Sequence, residues 1–190
     1  MAKIGMRYPR YRTMTINVDE QTGRETITYG TKKVLGKAIS ANVSITTTEA
    51  KLYADDGLAE SVKEFVEGSI SIGTDDLETE TEADILGATV DAAGDIENST
   101  DDAAPWMQIG FMAVRIRRNK KQYRGVLYKK VQFAVPSEDN QTKGQNITFT
   151  TPTLTGTIAA LADGTWRKKS KWFDSADAAD EWVDTAMSGT

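Results

Sequence analysis

The sequence contains no cysteine and no histidine among its 190 residues. Without cysteine there can be no disulfide bonds, thiolate nucleophiles or zinc sites with thiolate ligands. Without histidine the chain lacks the commonest general base of hydrolases, so a catalyst would have to use carboxylates, lysine or tyrosine. We therefore expect a protein that is not an enzyme and that binds no cofactor.

Long apolar runs are also missing. No stretch approaches the ~20 consecutive apolar residues that cross a bilayer, and no segment typical of a signal peptide follows Met1 to Met6. These absences predict a soluble protein, made in the cytoplasm, with no membrane partner. The apolar fraction of 39% and the charged fraction of 27% are typical of globular proteins, and the length suits one domain over residues 1–190.

Each sign of charge is absent from part of the chain. Between Lys63 and Arg115 there is no basic residue, whereas there are thirteen acidic ones. Residues 115–130 then contain eight basic residues and no acidic one. Such segregation suggests oppositely charged faces that could meet between neighbouring copies. Two solvated faces of a monomer would give the same pattern, so this alternative stays open.

Alternation of apolar and polar residues is the main periodic signal that is present. In residues 39–45 every second residue is apolar, which places Ile39, Ala41, Val43 and Ile45 on one face of a strand. The same period recurs in residues 69–72, 112–116, 131–135 and 145–150, and Leu154 and Ile158 follow. The repeated pattern predicts a mostly β fold with antiparallel strands packed as a β-sandwich or barrel.

Two segments with helical spacing accompany these strands. The first covers residues 76–86, with Thr74 or Asp75 as its predicted N-cap and Gly87 as its stop. The second covers residues 175–187 and is capped by Asp174. Its apolar face comprises Ala179, Trp182, Val183 and Ala186. We expect one helix flanking the sheet and one short C-terminal helix, within a helical extension of residues 174–190.

The remaining segments lack either period. Residues 1–35 are interpreted as an extended N-terminal arm with a turn at Thr22-Gly23, and residues 91–105 as a flexible acidic loop. Residues 117–125 are interpreted as the basic tip of a long β-hairpin, and residues 136–143 as a polar loop.

Paired aspartates are the only plausible metal ligands. They occur at Asp55-Asp56, Asp75-Asp76 and Asp101-Asp102, and none has the spacing of an EF-hand loop. A turn explains Asp55-Asp56 better, and helix caps explain Asp75-Asp76 better. The sequence therefore predicts no metal site, although calcium binding at the clusters stays open.

Three stretches, taken in order, resemble the major tail protein family of siphophages, in its phi13-type branch. The first is Leu52-Tyr53-Ala54-Asp55-Asp56 with Glu60, Glu64-Phe65 and Glu67-Gly68-Ser69-Ile70-Ser71-Ile72. The second is Asp76-Leu77 with Ile85-Leu86-Gly87. The third runs through Tyr128-Lys129, Phe133, Pro136-Ser137-Glu138, Thr142-Lys143, Ile147-Thr148-Phe149, Thr151-Pro152, Leu154 and Gly156-Thr157. The similarity covers about residues 39–158.

The resemblance implies a fold and a role. It implies a β-sandwich with a helix on one side, which assembles into hexameric rings that stack into a tail tube. It also implies location in the virion tail after assembly in the host cytoplasm, and tape measure, terminator and distal tail proteins as partners. Genomic DNA would pass through the lumen without specific binding. A tail terminator or connector would share the fold and differ in ring stacking.

Candidate contacts between subunits follow from this role. They lie in the N-terminal arm, the acidic loop and the basic hairpin, which are the segments expected to reach a neighbouring ring. The candidate residues are Tyr8, Tyr11, Asp95, Asp101, Asp102, Arg115, Arg117, Arg118, Lys120, Lys121, Tyr123 and Arg124.

Two readings from other functional classes remain. A carbohydrate-binding or adhesin module of sandwich type would present an exposed aromatic platform, for which Trp106, Trp166 and Trp172 are the candidates. An enzyme using only carboxylates is the other reading. Rings or tubes formed by the purified protein would distinguish the tail-tube hypothesis from both.

Overall fold

The computed structural model describes residues 3–54, 57–136 and 151–188. Within these ranges the first five strands are β1 (Lys3–Val18), β2 (Glu25–Tyr29), β3 (Lys33–Val34), β4 (Ala38–Ala54) and β5 (Gly57–Thr74). Helix α1 (Thr79–Leu86) follows, then β6 (Thr89–Val90), β7 (Ile96–Glu97), β8 (Trp106–Arg117), β9 (Lys120–Phe133), β10 (Thr153–Ile158), β11 (Arg167–Lys169) and helix α2 (Ala176–Ser188).

One antiparallel sheet dominates the described part of the chain. Its strand order is β2-β1-β8-β9-β10-β5-β4, with β3 added to β1 and β11 added to β9. Strands β6 and β7 form a separate two-stranded hairpin. The predicted mostly β class, with antiparallel strands and a short C-terminal helix, is confirmed.

The sheet curls around one hydrophobic core. Ile70, Ile109, Val131 and Ile158 are fully buried in it, and they come from four neighbouring strands of the order. Side chains of β1 and of β4, strands well separated in that order, pack against the same cluster. The sheet therefore folds over itself. Burial of each large aliphatic side chain contributes about 1.5–3 kcal/mol.

The alternation in β4 has the predicted consequence. Ala41, Val43 and Ile45 face the core, whereas the intervening Asn42 and Ser44 are exposed. Ile39 departs from the pattern because its side chain is 56% exposed. It precedes the section of β4 that lies over the core.

Residues 3–18, which lie in the segment predicted as an extended N-terminal arm over residues 1–35, form a strand of the main sheet. Strand β1 pairs with β8 over most of its length and with β2 and β3 on its other edge. The predicted turn is confirmed, because Gly23 adopts φ +66° and donates its N–H to the Asp19 carbonyl. Arginine, tyrosine and threonine mask the alternation of β1, since each can lie at a surface or against a core.

The start of helix α1 differs from the prediction. The helix begins after Glu78, which makes no side-chain cap, so Thr74 and Asp75 are not its N-caps. The Asp75 carboxylate instead accepts the backbone N–H of Lys37, and these contacts hold its pKa below its usual range. The predicted stop is confirmed, since Gly87 closes the helix at φ +72°.

Helix α2 packs against the face of β8 and β9 that points away from the main core. Its buried residues Ala179, Val183 and Met187 follow the predicted helical spacing, and Val183 and Met187 cluster with Leu127. Gly110 makes room for the helix, because a Cβ there would lie 2.7 Å from the Met187 sulfur.

Candidate assembly surfaces

Strands β8 and β9 form the predicted hairpin, with a narrow basic tip. Arg117 pairs with Lys120, and the two residues between them, Arg118 and Asn119, have φ of +49° and +59°. Two central residues with positive φ are typical of a type I′ turn, whose twist matches that of the strands. Arg117, Arg118, Lys120 and Lys121 are all exposed, and none of these four cations forms an ion pair with a described residue.

The other predicted contacts of this hairpin lie at its base and have structural partners. The Arg115 guanidinium carbon lies 3.9 Å from the Trp172 ring centroid, and that of Arg124 lies 4.8 Å from it. Tyr123 exchanges two backbone hydrogen bonds with Phe173, at 2.7 and 2.8 Å. These three residues attach the hairpin to the segment that leads into α2, which leaves the tip as the free basic surface.

The acidic segment of residues 91–105 contains more structure than a flexible loop, so that prediction is partly wrong. The Asp91 carboxylate accepts the N–H groups of Ala93 and Asp95, which turns the chain between β6 and β7. The N–H of Asp95 is the main reason that the pKa of Asp91 lies below its usual value. Asp102 similarly accepts the N–H of Ser99. The predicted contacts Asp95 and Asp101 are exposed and Asp102 is half-buried.

The basic tip and the acidic segment lie at opposite ends of one strand. The acidic segment ends just before Trp106, where β8 begins, and the basic tip starts at Arg117, where β8 ends. At about 3.3 Å per residue, these ends are about 36 Å apart. The charge segregation along the sequence therefore becomes a polarity of the folded molecule.

Between Ser40 and Thr46, strand β4 forms an edge of the sheet without the charges, prolines or bulges that usually protect an edge. Within the described residues its sheet partner is β5 alone. Residues 38–48 contain no charged residue, no proline and no glycine, and the register with β5 is uninterrupted from Ser40 to Thr46. Natural edge strands usually carry lysine, proline or bulges that prevent pairing with another chain. No other described strand occupies this edge, so within the described part of the chain it is open to an additional strand.

The two predicted tyrosine contacts have different environments. Tyr8 is 54% exposed and adopts φ +53° at a bulge of β1, where it lines a groove of about 650 Å³ with Val34 and Lys37. Tyr11 is fully buried, and its hydroxyl donates to Asp84 Oδ2 at 2.7 Å. Burial raises the pKa of Tyr11. Its assignment as a contact between subunits is therefore wrong, since its side chain belongs to the core.

The tryptophans do not form an open platform. Lys130 lies 4.8 Å from the Trp106 ring, Arg167 lies 4.2 Å from Trp166, and Arg115 covers Trp172. Phe65 also stacks on Trp166, with ring centroids 4.4 Å apart and planes 8° apart. A sugar ring would have to displace these groups to reach an indole face.

The sequence does not single out Arg12, although its environment is unusual. Its side chain is only 8% exposed, Nε donates to Gln108 Oε1 at 2.9 Å, and Nη2 has no hydrogen-bond partner among the described residues. The guanidinium lies 3.8 Å over the Tyr29 ring. Burial lowers the pKa of Arg12 from its ordinary value. A buried charge without a carboxylate partner reduces stability.

Substitutions at Arg12 and Gln108 test how much stability the buried charge costs. We expect Gln108→Leu alone to lower the free energy of unfolding by about 2 kcal/mol, because the guanidinium loses its acceptor. We expect Arg12→Met combined with Gln108→Leu to restore most of this loss, since both polar groups are then removed together. Urea unfolding of the two variants measures the difference, and a double variant less stable than Gln108→Leu would show that the charge is stabilising.

Neither helix of the described residues has the length and apolar character needed to span a bilayer. Across residues 3–54, 57–136 and 151–188, no three carboxylate side chains converge into a possible metal site. The predicted strand at residues 145–150, the turn at Asp55-Asp56 and most of the loop at residues 136–143 fall outside the described residues. No family model matches this chain, and a search of curated proteins finds no match either.

Proposed function

We propose that this protein is a structural subunit of a virion, which assembles through its sheet edge into hexameric rings of a phage tail tube. The observation that carries the proposal is the uncharged, proline-free edge of β4 over residues 38–48. The resemblance to siphophage major tail proteins supplies the ring and the tube. Tape measure, terminator and distal tail proteins would be its partners in the tail.

Backbone hydrogen bonding favours pairing at this edge. The outward N–H and C=O groups of β4 have no strand partner among the described residues, whereas a second copy can continue the ladder and cover the apolar residues beside it. Ile39 is 56% exposed and Val34, just before β4, is 64% exposed. If the β4 edge of one copy pairs with a different edge of the next copy, the contact is heterologous. A series of such contacts closes into a ring when the rotation between copies is a simple fraction of a turn.

The face of the sheet next to this edge suits a passive conduit. Across β4, β5 and β10 it presents hydroxyl and amide groups from residues in register with one another. They are Asn42, Ser44, Ser69, Ser71, Thr155 and Thr157. This patch has no lysine or arginine, so it has no fixed cation to retain DNA phosphates. If the ring continues the sheet, the same uncharged surface continues around it.

Lysines on the edge strand test the proposal. We expect Asn42→Lys combined with Ser44→Lys to abolish rings and tubes in negative-stain images of concentrated protein, because charge on an exposed edge opposes strand pairing. Unaltered protein is expected to form rings of uniform width with six subunits. Hydrogen exchange of residues 39–48 should slow by at least ten-fold on assembly, as the outward amides acquire partners.

A matched control places the same charges one strand further in. Ser69 and Ser71 lie directly opposite Ser44 and Asn42 on β5, which already has a partner on both sides. Ser69→Lys combined with Ser71→Lys should leave ring formation unchanged. Equal assembly by both double variants, or unprotected amides in residues 39–48 of assembled protein, would refute the role of this edge.

A further inference from the structure

The basic tip of the β8–β9 hairpin presents a cluster of exposed positive charge. Its four exposed cations, Arg117, Arg118, Lys120 and Lys121, have no ion-pair partner among the described residues, and Ile116 beside them is 41% exposed. The two-residue turn holds these side chains on a rigid ribbon. Rigid presentation reduces the entropy lost when such a surface binds.

A complementary surface exists on the same molecule. The segment preceding β8 carries the exposed acids Asp91, Asp95, Glu97 and Asp101, and Val90 beside them is 36% exposed. Residues 88–105 contain no basic residue. Backbone N–H groups hold the pKa of Asp91 below its usual value, so this carboxylate stays charged in mildly acidic solution.

Within one chain the two surfaces lie at opposite ends of β8, which spans about 36 Å when straight. They can meet between copies. If the ring forms by continuing the sheet, its strands run roughly along the ring axis, and cyclic symmetry then places every basic tip on one side and every acidic segment on the other. Such rings can add to one another without limit, always in the same direction.

We infer that the basic tip of the β8–β9 hairpin docks on the acidic segment before β8 of a second copy, and that this contact stacks one ring on the next. The inference rests on the proposed function for the ring itself. Contact through charge makes the stacking dependent on ionic strength, because the screening length falls from about 8 Å in 0.15 M salt to about 3 Å in 1 M salt. Contact through the β4 edge depends much less on salt.

Charge reversal at each surface tests the contact. One variant carries Arg117→Glu and Lys120→Glu, which spare the turn residues with positive φ. The other carries Asp95→Lys and Asp101→Lys. We expect each variant alone to form rings but to show at least a ten-fold loss of stacked tubes in negative-stain images. An equal mixture of the two ring preparations should restore tubes in part, because the new glutamates of one variant then face the new lysines of the other.

Cross-linking places the contact more directly, since the natural chain has no cysteine. We expect a mixture of Lys120→Cys and Asp101→Cys proteins to form disulfide-linked dimers on mild oxidation. A mixture of Lys120→Cys with Glu181→Cys, an exposed acid on α2, should form at least ten-fold fewer.

Several outcomes would overturn the inference. Normal tubes from either reversed variant would do so while leaving the ring proposal intact, whereas an absence of rings from the unaltered protein would refute the proposed function itself. Equal cross-linking in the two mixtures would also contradict the contact. A further contradictory result would be that unaltered protein binds a duplex DNA probe in 0.15 M salt and that the variant with Arg117→Glu and Lys120→Glu does not. The tip would then be a nucleic-acid surface.

Discussion

Replacement of Gly125 by valine is expected to detach helix α2 and to lower the free energy of unfolding by about 3 kcal/mol. A Cβ at this position would lie 2.2 Å from Cε3 of Trp182 and 2.9 Å from Cγ2 of Val183. Val183 cannot move freely, because it is buried between the helix and the sheet. The valine side chain therefore occupies the space that α2 now fills.

Two measurements follow the effect of this substitution. Urea unfolding gives the loss of stability, and hydrogen exchange of residues 176–188 shows whether the helix has left the sheet. Gly125→Ala should give a smaller loss, since it adds the clashing Cβ without the two methyl groups. Lys121→Val places the same side chain on an exposed position of β9 and should change stability by less than about 0.5 kcal/mol. Unchanged exchange of α2 in Gly125→Val would disprove the docking geometry.

Removal of the Trp166 side chain is expected to lower the free energy of unfolding by about 3 kcal/mol. The indole stacks on Phe65 of β5 at 4.4 Å and lies 6.5 Å from the Tyr128 ring of β9. It therefore joins the β4–β5 hairpin to the strand that carries the basic tip. Trp166→Phe retains a ring at this junction, so we expect it to recover at least half of the loss.

The Trp166→Ala variant also distinguishes a structural role of this indole from a role in binding sugar. If the chain were a carbohydrate-binding module, unaltered protein would be retained on a polysaccharide column, and Trp166→Ala would abolish retention at unchanged stability. We expect the opposite result, with no retention of either protein and a lower urea midpoint for the variant. The stacking of Phe65 and Arg167 on this indole is the structural reason.

Local patterns predicted the helices and the main strands well. Helix α2 spans Ala176–Ser188, where residues 175–187 were predicted, because its apolar spacing is regular. Helix α1 starts at Thr79 rather than at residue 76, because Asp75 makes its hydrogen bonds to Lys37 instead of capping a helix. Caps depend on which N–H groups come near a carboxylate, and these are brought together by tertiary contacts.

It was harder to predict from the sequence which of the candidate contact residues are exposed and which are buried. Tyr8 and Tyr11 are three residues apart and similar in kind, yet one is half exposed and the other is completely buried. A bulge between Arg7 and Arg10 shifts the register of β1 and decides which tyrosine faces the core. Likewise Arg115 is half-buried over the Trp172 ring whereas Arg117 is exposed, a difference that a linear pattern does not reveal.

Residue type and order alone were enough to establish the antiparallel strands, the two helices and the segregation of charge, because periodicity, caps and composition act over a few neighbouring residues. Folding decided where those parts meet. Strand β4 became an edge because β10 and β5 precede it in the sheet order, and the two charged segments became opposite ends because one extended strand separates them. Both results depend on hydrogen bonding between residues far apart in the chain, and only the completed sheet specifies such pairing.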